Sequence, residues 1–440
     1  MLIVAPKVRV VLLNYDGGDI TTRCLDALKE IDYPREDLEI VMVDNASIDG
    51  LVWRVPRDYP AVQVIENLTN EGFARGNNQA MIDLDGIDAV ALINNDCIPD
   101  PAWLRHLVER MFVDASMGAT CSKMLFNKEV WGLEIASVSA PVCVSNIQVN
   151  GRDSLPFVQF DERFDRSGIG AGSPTPQHWL TQDASFWLDS EMIDDGEVTI
   201  SVELHSNSES QIIVKSQESE FSVLVTKNPK LHHFTISKKS RVINNAGGGV
   251  FPGLFGGDLG FRELDLGQRD HEASVFSFCG GAVLLRREFL EDVGLFDDSF
   301  FLYYEDFDLS WRGKRRGWEF QYVPRSIVLH EHAFSSDAGS PFFRFWVDRN
   351  RRLTLVKNAP LRPALKTIVA AFLWAFRDCL GMFRHARKSK IPAPISAIRH
   401  RLRQLASFIK ALPGAIAFRY ASSNGAVVRR RFVYQWITQR

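Results

Sequence analysis

The sequence has 440 residues, of which 45% are hydrophobic and 24% are charged, a composition that is typical of folded proteins and excludes a largely disordered chain. The net charge of −3 conceals an uneven distribution, because residues 361–440 contain 16 lysines and arginines and one acidic residue, Asp378. This tail carries +15 and the preceding residues carry −18, so the sequence predicts an anionic partner for the tail, either a membrane surface or a nucleic acid.

Targeting and cysteine patterns predict an intracellular protein. The stretch MLIVAPKVRVVLLNY lacks the features of a signal peptide, and we interpret it as the first strand of a cytosolic protein. The six cysteines contain no C-x-x-C pair, which argues against a disulfide framework and against a structural zinc site. No segment reaches the ~18 consecutive apolar residues that a transmembrane helix needs.

Strand and helix patterns alternate through residues 1–127. The apolar runs Val8–Asn14 and Leu38–Asp44 flank a helical pattern at 19–31, and a third run at 89–93 precedes a helix predicted at 101–112. Each run ends in polar residues. This order predicts an α/β fold with a mainly parallel sheet flanked by helices, whose ligand lies beyond the carboxyl ends of the strands.

A different pattern occupies residues 128–240, where short segments such as EVTISVELHS and FSVLVTK alternate apolar and polar residues between turns. We interpret this region as an antiparallel β-sandwich inserted into the α/β fold. The α/β pattern resumes at 241–358, with a strand predicted at 277–285. Residues 359–440 then read as a helical tail, broken at Pro392, Pro394 and Pro413.

Apolar residues recur at helical spacing in this tail, with arginines between them: Phe372, Phe376, Leu380 and Phe383, then Ile398, Leu402, Leu405 and Ile409. A basic amphipathic helix suits the surface of an anionic bilayer. The alternative is that the apolar residues pack on the α/β domain and the arginines are solvated. The sequence favours a peripheral protein on the inner face of the cell membrane, with no nucleic-acid partner, and is compatible with a homo-oligomer.

Three loops of the first α/β segment are candidates for ligand binding. Asp44, in VMVDNASIDG, ends a strand where a carboxylate accepts hydrogen bonds from a nucleotide, although it would serve equally as a helix N-cap. The stretch NEGFARGNN, residues 70–78, combines glycines for close backbone approach with amides and a guanidinium. It is not a phosphate-binding Walker loop, and as a bare pattern it is also typical of a turn.

Asn94 and Asp96 lie two residues apart at the end of the next strand, in INNDCIPD. The period of two along a strand turns both side chains to the same side. Oxygen ligands in this arrangement suit Mg²⁺ or Mn²⁺ bound together with a diphosphate. A plain Asn/Asp turn is the alternative.

The second α/β segment contains an unusual run, YYEDFDLSWRGKRRGW, at residues 303–318. Gly280 and Gly281 precede it, where missing side chains allow close approach of a ligand or of the backbone. Aromatic neighbours would raise the pKa of Asp306 and a helix start would lower it, so the sequence leaves the direction open. The cations behind it are interpreted mainly as a solvated helix face. His330 and His332 follow at a predicted strand end, where a lone imidazole is more often structural than ligating.

Taken together, these stretches resemble family 2 glycosyltransferases of the GT-A fold, particularly the bacterial rhamnosyltransferase-like and galactofuranosyltransferase-like branch. The resemblance covers about 1–127 and 241–358, and the segment from Cys279 to Trp318 is its most specific part. The matching stretches are VVLLNYDGG, IVMVDNASIDG, NEGFARGNNQAM, LINNDCIPDPAWL, NNAGG with GGDLG, CGGAVLLRREFLEDVGLFDDSFFLYYEDFDLSWRGKRRGW and VLHEHAFSS.

The resemblance implies a role for each matching residue. Residues 1–127 would form the nucleotide-sugar-binding half and 241–358 the acceptor half, with Asp306 as catalytic base and Glu305 beside it. Asp96, Asn94 and His330 would hold the metal, although the family's motif more often has two aspartates. Tyr303, Tyr304 and Trp311 would contact the acceptor. The nucleotide-sugar site would comprise Asn14, Asp44, Asn70, Gly72, Arg75, Asn77, Asn94, Asn95, Gly280 and Gly281.

The implied reaction is an inverting, metal-dependent transfer of a sugar from a dTDP- or UDP-sugar to a hydroxyl of a cell-surface polysaccharide or a lipid-linked glycan. Such a transfer needs one base on the acceptor side, because the metal neutralises the departing diphosphate. Two alternatives stay open at this point. One is a nucleotidyltransferase on a related sheet, and the other is a catalytically inactive glycan-binding or assembly protein.

Overall fold

The structure is a computed structural model that describes residues 5–136, 138–161, 163, 178–180, 182–193, 196–331, 340–390, 392, 394–422 and 425–438. Its first part alternates strands and helices, as the sequence predicts. The elements are β1 (Val8–Asn14), α1 (Gly18–Lys29), β2 (Leu38–Asp44), α2 (Leu51–Asp58), β3 (Val62–Glu66), α3 (Gly72–Gln79), β4 (Ala89–Asn94), β5 (Cys97–Pro99), α4 (Trp103–Met111) and β6 (Met117–Ala136).

The insertion follows β6 and consists of short strands. They are β7 (Val142–Val149), β8 (Arg152–Asp153), β9 (Gln159–Phe160), β10 (His178–Leu180), β11 (Ala184–Asp189), β12 (Val198–Ser206), β13 (Ser210–Lys215), β14 (Glu220–Val225) and β15 (Lys230–Ile236). One sheet contains β10, β7, β12 and β15, and the facing strands β11, β13 and β14 extend the sheet that contains β6. Apolar side chains from both sheets share one core, so the insertion is an antiparallel sandwich.

The α/β pattern then resumes and ends in two long helices. The elements are β16 (Ser240–Asn245), β17 (Gly248–Phe251), β18 (Phe255–Asp258), β19 (Ala273–Ser274), β20 (Ala282–Arg286), α5 (Arg287–Val293), α6 (Glu305–Arg316), β21 (Glu319–His330), α7 (Pro341–Asn358), α8 (Leu361–Ser389) and α9 (Ile395–Ala421), followed by a 3₁₀ segment, Arg430–Trp436. Shorter 3₁₀ turns lie at Arg35–Asp37, Leu155–Phe157 and Ser190–Met192.

The central sheet is mixed and mainly parallel. Strands β3, β2, β1 and β4 run parallel in that order, β20 pairs antiparallel with β4, and β6 pairs antiparallel with β20. Strand β21 runs parallel to β6. The α/β class and the helix-flanked mixed sheet that the resemblance to GT-A enzymes implies are therefore confirmed.

Alternate residues of the same strands feed two cores, one on each face of the sheet. Val11, Val43 and Leu92 lie in one core, while Val10 and Met42 lie in the other, with helices α1 and α4. This arrangement follows from the period of two along a strand. It buries β1, β2 and β4 on both faces, so their polar ends are where a ligand can approach.

Strand β6 passes from the α/β part into the insertion without a break, although the sequence places a boundary after residue 127. Its first residues pair with β20 and β21, and its last residues pair with β11 and β13. A single twenty-residue strand thus belongs to both parts. The insertion is joined to the central sheet by continuous main-chain hydrogen bonds.

Two expectations about local structure are wrong. The strand expected at 277–285 begins only at Ala282, because Ser277 makes an isolated bridge with Gly248 and the chain then turns at residues 280–281. Pro413 does not break the tail, since α9 continues through it to Ala421. Among the described residues, none of the helices is both long enough and apolar enough to span a membrane.

The tail helices pack on α7. The guanidinium of Arg419 donates to the carbonyl oxygens of Val356 and Ala359, and Arg430 donates to those of Lys357 and Asn358. Three carbonyls of the last turn of α7, which lack partners within their own helix, and the carbonyl of the following Ala359 are capped in this way. The tail is therefore an integral part of the folded structure.

Candidate active site

Polar side chains at the ends of β1, β2 and β4 form one hydrogen-bonded network. The amide of Asn14 donates to Asp44 Oδ1 at 2.7 Å, and Thr21 donates to Asn14 Oδ1 at 2.7 Å. The amide of Asn95 reaches Thr21 Oγ1 at 2.9 Å. The structure thus brings together three predicted nucleotide-sugar residues, Asn14, Asp44 and Asn95, at the carboxyl edge of the sheet.

Asp44 is not a helix N-cap. Its second oxygen accepts from the backbone N–H of Ser47 at 2.9 Å, and the next helix begins only at Leu51, with Gly50 as its N-cap. Asp44 is almost completely buried. A buried carboxylate held by an amide and a backbone N–H is positioned to accept further hydrogen bonds from a ligand.

The loop that opens α3 is fixed to the loop before α6. Asn70 Oδ1 accepts from the N–H of Gly72 at 2.9 Å, and the N–H of Phe73 donates to the carbonyl of Phe301 at 2.7 Å. Gly72 has a φ of +79°, and a Cβ there would lie 2.3 Å from the oxygen of Phe301. Only glycine fits this close approach.

Arg75 and Asn77, which were also predicted to bind the nucleotide sugar, make contacts within the α3 region instead. Arg75 is exposed and pairs with Glu71 at 3.0 Å. Asn77 is buried, and its amide donates to the carbonyl of Phe73 within α3. The nucleotide contact predicted for Asn77 is not supported, because the side chain is used inside its own helix.

Asp96 and His330 lie side by side, although 234 positions separate them in the chain. Strand β21 brings them together by pairing with β5, and His330 Nε2 lies 3.1 Å from Asp96 Oδ1. The other ring nitrogen of His330 lies 3.0 Å from Asn244 Oδ1. When Nδ1 donates to this oxygen, the lone pair of Nε2 faces the Asp96 carboxylate. A cation between these two acceptors would relieve their repulsion, so the pair fits a metal ion.

Cys97 is the third potential donor of this cluster, whose ligand atoms all lie within 4.8 Å of one another. Its thiol points to the carbonyl of Gly281 at 3.7 Å. Burial, together with the charge of Asp96, raises the pKa of Cys97 well above its usual value, so the group is a neutral thiol. Oxygen and nitrogen from Asp96 and His330 suit Mg²⁺ or Mn²⁺ better than this sulfur. His332 lies outside the described residues.

The turn at Gly280 and Gly281 connects the metal motif with the carboxylate of Asp306. The N–H of Gly280 donates to Asp306 Oδ2 at 3.1 Å, and the N–H of Asn94 donates to the carbonyl of Gly281 at 2.9 Å. A Cβ on Gly281 would lie 3.2 Å from the amide nitrogen of Asn94. Adjacent residues thus contact the end of β4, which leads to Asp96, and the start of α6, which contains Asp306.

Both acids at the start of α6 have raised pKa values. Burial raises the pKa of Asp306 above its usual value, against hydrogen bonds from the N–H groups of Gly280 and Phe307. Of the two effects that the sequence left open, burial is the larger. Glu305 is 5% exposed, and its Oε2 has no hydrogen-bond partner within the described part of the chain. Burial and the charge of Asp306 raise its pKa well above the usual value.

A strained turn presents these acids. Tyr303 and Tyr304 have φ values of 68° and 72°, in the left-handed region that side chains disfavour. Asn350, buried on α7, donates to the carbonyls of Leu302 and Tyr303 at 2.9 and 2.8 Å. Sequence reasoning missed Asn350, because nothing in its local pattern distinguishes it from a polar helix residue.

The acceptor contact predicted for Trp311 is not supported. Its side chain is fully buried among Phe276 and Phe307, with ring centroids 5.7 and 5.6 Å away. Tyr303 and Tyr304 remain partly exposed. Tyr304 donates to the carbonyl of Gly256 at 3.3 Å, and burial raises its pKa to about 12.

The interpretation of the α6 cations as a solvated helix face is wrong for most of them. Arg312, Lys314 and Arg315 are all buried. Asp308 is fully buried and accepts from Arg312 at 3.0 Å and from Lys357 at 2.6 Å. This ion-pair network joins α6 to α7 and has a structural role.

An exposed aromatic residue lies near the opening beside Tyr304. Phe255 is 46% exposed, and the guanidinium of Arg351 lies 3.4 Å from its ring centroid. Arg351 also donates to the carbonyl of Gly253. The guanidinium covers one face of the Phe255 ring in a cation–π contact, while almost half of the side chain stays exposed.

Comparisons with known proteins identify the family of the chain. The family profile "Glycosyl transferase family 2" matches residues 9–164, and the profile "Glycosyltransferase like family 2" matches residues 216–352. Together the two matched ranges include the polar network at Asp44, the Asp96–His330 pair and Asp306. The chain belongs to the family 2 glycosyltransferases.

Individual relatives match shorter segments. The chain is 44% identical over 65 residues to an N-acetylglucosaminyl-diphospho-decaprenol L-rhamnosyltransferase of Mycobacterium tuberculosis, which is 15% of this chain and 21% of that protein. It is 35% identical over 69 residues to a poly(ribitol-phosphate) beta-glucosyltransferase of Bacillus spizizenii, which is 15% of this chain and 11% of that protein. The chain thus spans about a fifth or less of the length of these two relatives.

Among solved structures, GalNAc-T7 with UDP, GalNAc and Mn²⁺ is similar with a TM-score of 0.46 and 13% identity, over 95% of this chain and 58% of that one. The family assignment depends on the sequence profiles and not on this likeness.

Proposed function

We propose that this protein is an inverting glycosyltransferase that moves a sugar from a nucleoside-diphosphate sugar to a hydroxyl group of a glycan acceptor. The observation that carries the proposal is the Gly280–Gly281 turn. It links the carboxylate of Asp306 and the metal motif at Asn94 and Asp96 through adjacent residues. A transferase needs this proximity, because the leaving diphosphate and the attacking hydroxyl lie on opposite sides of one sugar carbon.

The donor half of the site lies at the ends of β1, β2 and β4. Asp44, held by Asn14 and Ser47, accepts hydrogen bonds from the base or ribose of a UDP- or dTDP-sugar. Asn95 and the loop of Asn70 and Gly72 lie at the same edge. Arg75, exposed and paired with Glu71, would exchange this partner for the diphosphate. Gly280 and Gly281 let their turn pack closely against Phe73 and Asn94 at this edge, where the sugar of the donor would lie.

Asp96 and His330 would hold the divalent cation, Mg²⁺ or Mn²⁺, with Asn94 beside them. When bound, such a cation supplies Lewis-acid stabilisation of the departing diphosphate. Asn244 orients His330, so that its Nε2 faces the ion. The Asn in place of a first aspartate lowers the negative charge of the site.

Asp306 is the proposed base. Its raised pKa makes it a stronger proton acceptor than an exposed aspartate, and Gly280 N–H fixes one of its oxygens. The other oxygen lies against the N–H of Phe307. Glu305, protonated because of its burial, is placed to donate a hydrogen bond to the acceptor or the sugar. Tyr303 and Tyr304 form the acceptor wall together with Phe255.

The proposal also includes the class of acceptor and the place in the cell where the enzyme meets it. A cell-surface polysaccharide or lipid-linked glycan would meet the enzyme at the inner face of the cell membrane, where the basic tail, 359–440, associates peripherally with anionic lipid. The insertion, 128–240, would serve acceptor recognition or contact in a homo-oligomer. These segments, with 1–127 and 241–358, form our proposed division of the chain.

A donor screen tests the proposal. Purified protein is incubated with a panel of UDP- and dTDP-sugars and Mn²⁺, and nucleotide release and transfer are measured with and without EDTA. We expect activity that EDTA removes and that Asp306→Asn lowers at least about a thousandfold while nucleotide binding persists. Glycan binding without release from any donor would favour the inactive module, and pyrophosphate release from a nucleoside triphosphate would favour a nucleotidyltransferase.

The metal site has its own test with matched variants. Asp96→Asn and His330→Gln should weaken Mn²⁺ binding measured by calorimetry by about 10- to 100-fold. Cys97→Ser should leave it unchanged, because that thiol points to Gly281. Equal losses for all three variants would contradict the assignment.

A further inference from the structure

Helix α8 buries small residues against the protein and exposes large apolar residues to the outside. The residues that it buries are small: Ala364, Ala371, Ala375 and Ala386. Most of its large apolar residues face outward instead, among them Leu361 and Trp374. Six others lie along one side of the helix, and between 44% and 68% of each is exposed. They are Leu365, Val369, Phe372, Leu373, Phe376 and Phe383, which we call the α8 stripe.

The spacing of the α8 stripe places it on one side of the helix. Steps of four, three, four and seven residues connect Leu365, Val369, Phe372, Phe376 and Phe383, so their side chains lie within one continuous band. Small residues on the buried side let α8 approach α7 and α9 closely. A contiguous apolar band that the fold leaves uncovered marks an interaction surface.

Cations line one edge of this band. At about 100° per residue, Lys366, Arg377 and Arg384 follow one another beside the stripe, and all three are exposed. Arg362 and Arg387 lie near its two ends. The sole acid of the helix, Asp378, pairs with Arg401 of α9 at 2.5 Å. The exposed side of α8 therefore carries positive charge without an acidic counterpart of its own.

We infer that the α8 stripe is a membrane-docking surface, which lies in the plane of an anionic bilayer with its large apolar side chains among the acyl chains. Cations beside an apolar band suit anionic headgroups. A second copy of the chain would bring the same cations together without carboxylates to pair with them. The inference rests on the peripheral association proposed above and assigns it to one helix face.

The attachment of the tail gives this docking an orientation. Arg419 and Arg430 cap α7, and Asn350 of α7 holds the turn before Asp306. The α8 stripe is thus connected to the catalytic turn through packed helices without a linker. Docking through α8 fixes the angle at which the crevice faces the bilayer.

Vesicle sedimentation tests the inference on the full-length chain. The probes are vesicles of phosphatidylcholine alone and of phosphatidylcholine mixed with phosphatidylglycerol. We expect binding to the mixed vesicles that salt weakens, and at least about a tenfold loss in Phe372→Ser/Phe376→Ser. The variant Lys366→Gln/Arg377→Gln/Arg384→Gln should lose a similar amount and most of its salt dependence. The matched control, Ile48→Ser/Ile82→Ser, removes exposed apolar residues elsewhere and should bind like wild type.

Two results would overturn the inference. One is equal vesicle binding by wild type and the Phe372→Ser/Phe376→Ser variant, including the case in which neither binds. The other is a wild-type dimer that this variant converts to monomer in sedimentation velocity without lipid, which would assign the stripe to a second copy. Circular dichroism and UDP and dTDP binding are measured on every variant. If wild type binds neither UDP nor dTDP, this result would count against the proposed function without affecting the vesicle result.

Discussion

The side-chain amide of Asn350 donates to the carbonyl oxygen of Tyr303 at 2.8 Å. A second bond, to the carbonyl of Leu302, completes a clamp from α7 onto the turn that precedes Asp306. Two consecutive non-glycine residues in the left-handed region cost about 1–3 kcal/mol each, and this clamp offsets part of that cost.

Substitution Asn350→Ala should therefore lower both stability and activity. We expect a loss of about 2 kcal/mol in unfolding free energy and a fall of at least about tenfold in kcat, because the base moves out of position. Gln404→Ala is a matched control, since this buried amide also donates to two carbonyls, those of Arg344 and Phe345. Urea unfolding and steady-state kinetics compare the two; an equal fall in kcat would contradict the clamp's role.

Glu305 should make stability depend on pH. Its pKa in the folded protein lies well above the usual 4.5 because of burial and Asp306. The protonated carboxyl fits the folded state, so its contribution is complete below the unfolded value and is lost as pH rises through the folded value. Glu305→Gln should consequently be more stable than wild type by a margin that grows from pH 5 to pH 9.

Urea unfolding across this pH range measures the effect. Glu288→Gln replaces an exposed glutamate on the neighbouring helix α5 and serves as the control. A constant difference between Glu305→Gln and wild type at all pH values would show that the carboxyl is not protonated in the folded protein.

Asp308 should be a stability residue although it lies two positions from the proposed base. Asp308→Ala leaves Lys357 and Arg312 buried without their shared carboxylate. Loss of one partner of a buried ion pair costs about 3–5 kcal/mol. Asp58→Ala, which breaks an exposed pair with Arg57, should leave the urea midpoint unchanged. A mild effect at Asp308 would mean that water reaches this network.

Gly72 and Gly50 allow strain and contact to be separated. Both have positive φ values, 79° and 75°. A Cβ at Gly72 would collide with Phe301, whereas a Cβ at Gly50 would lie more than 4 Å from the described residues beyond its two chain neighbours. Each alanine substitution should cost about 1 kcal/mol of stability through φ strain. Gly72→Ala should also displace the loop that joins the donor and acceptor halves. Calorimetry with UDP and dTDP should show weaker binding for Gly72→Ala and unchanged binding for Gly50→Ala.

Much of the central fold was predictable from local patterns. The bounds of β1 and β2 agree with prediction, because buried strands read as continuous apolar runs that end where the chain reaches the edge of the sheet. The motif residues at these ends were found because polar groups at strand termini stand out from apolar surroundings. Asp96 and His330 were each named from local sequence, and the structure places them 3.1 Å apart.

Other features depended on contacts that local patterns do not record. Trp311, Arg312 and Lys314 read as a mixed helix face, yet all are buried, because α7 and the tail cover α6 on sides that the sequence of α6 does not reveal. In the tail, helical periodicity was visible, but periodicity alone does not say which side of a helix meets the protein. Of the predicted stripe of α9, Leu405 packs on the core, while Leu402 and Ile409 are exposed. Most of the predicted stripe of α8 faces out.

The sequence by itself determined the class of the fold, the succession of its first strands and helices along the chain and the chemical groups at the strand ends. These follow from hydrophobic period and from the residue types that strand ends accept. Only the tertiary structure decided that Asp308 pairs with cations in the core, which side of α8 is exposed, and that Asn350 supports the turn before Asp306. The physical reason is that hydrogen-bond partners and burial are set by residues tens to hundreds of positions away, whose positions no local pattern encodes.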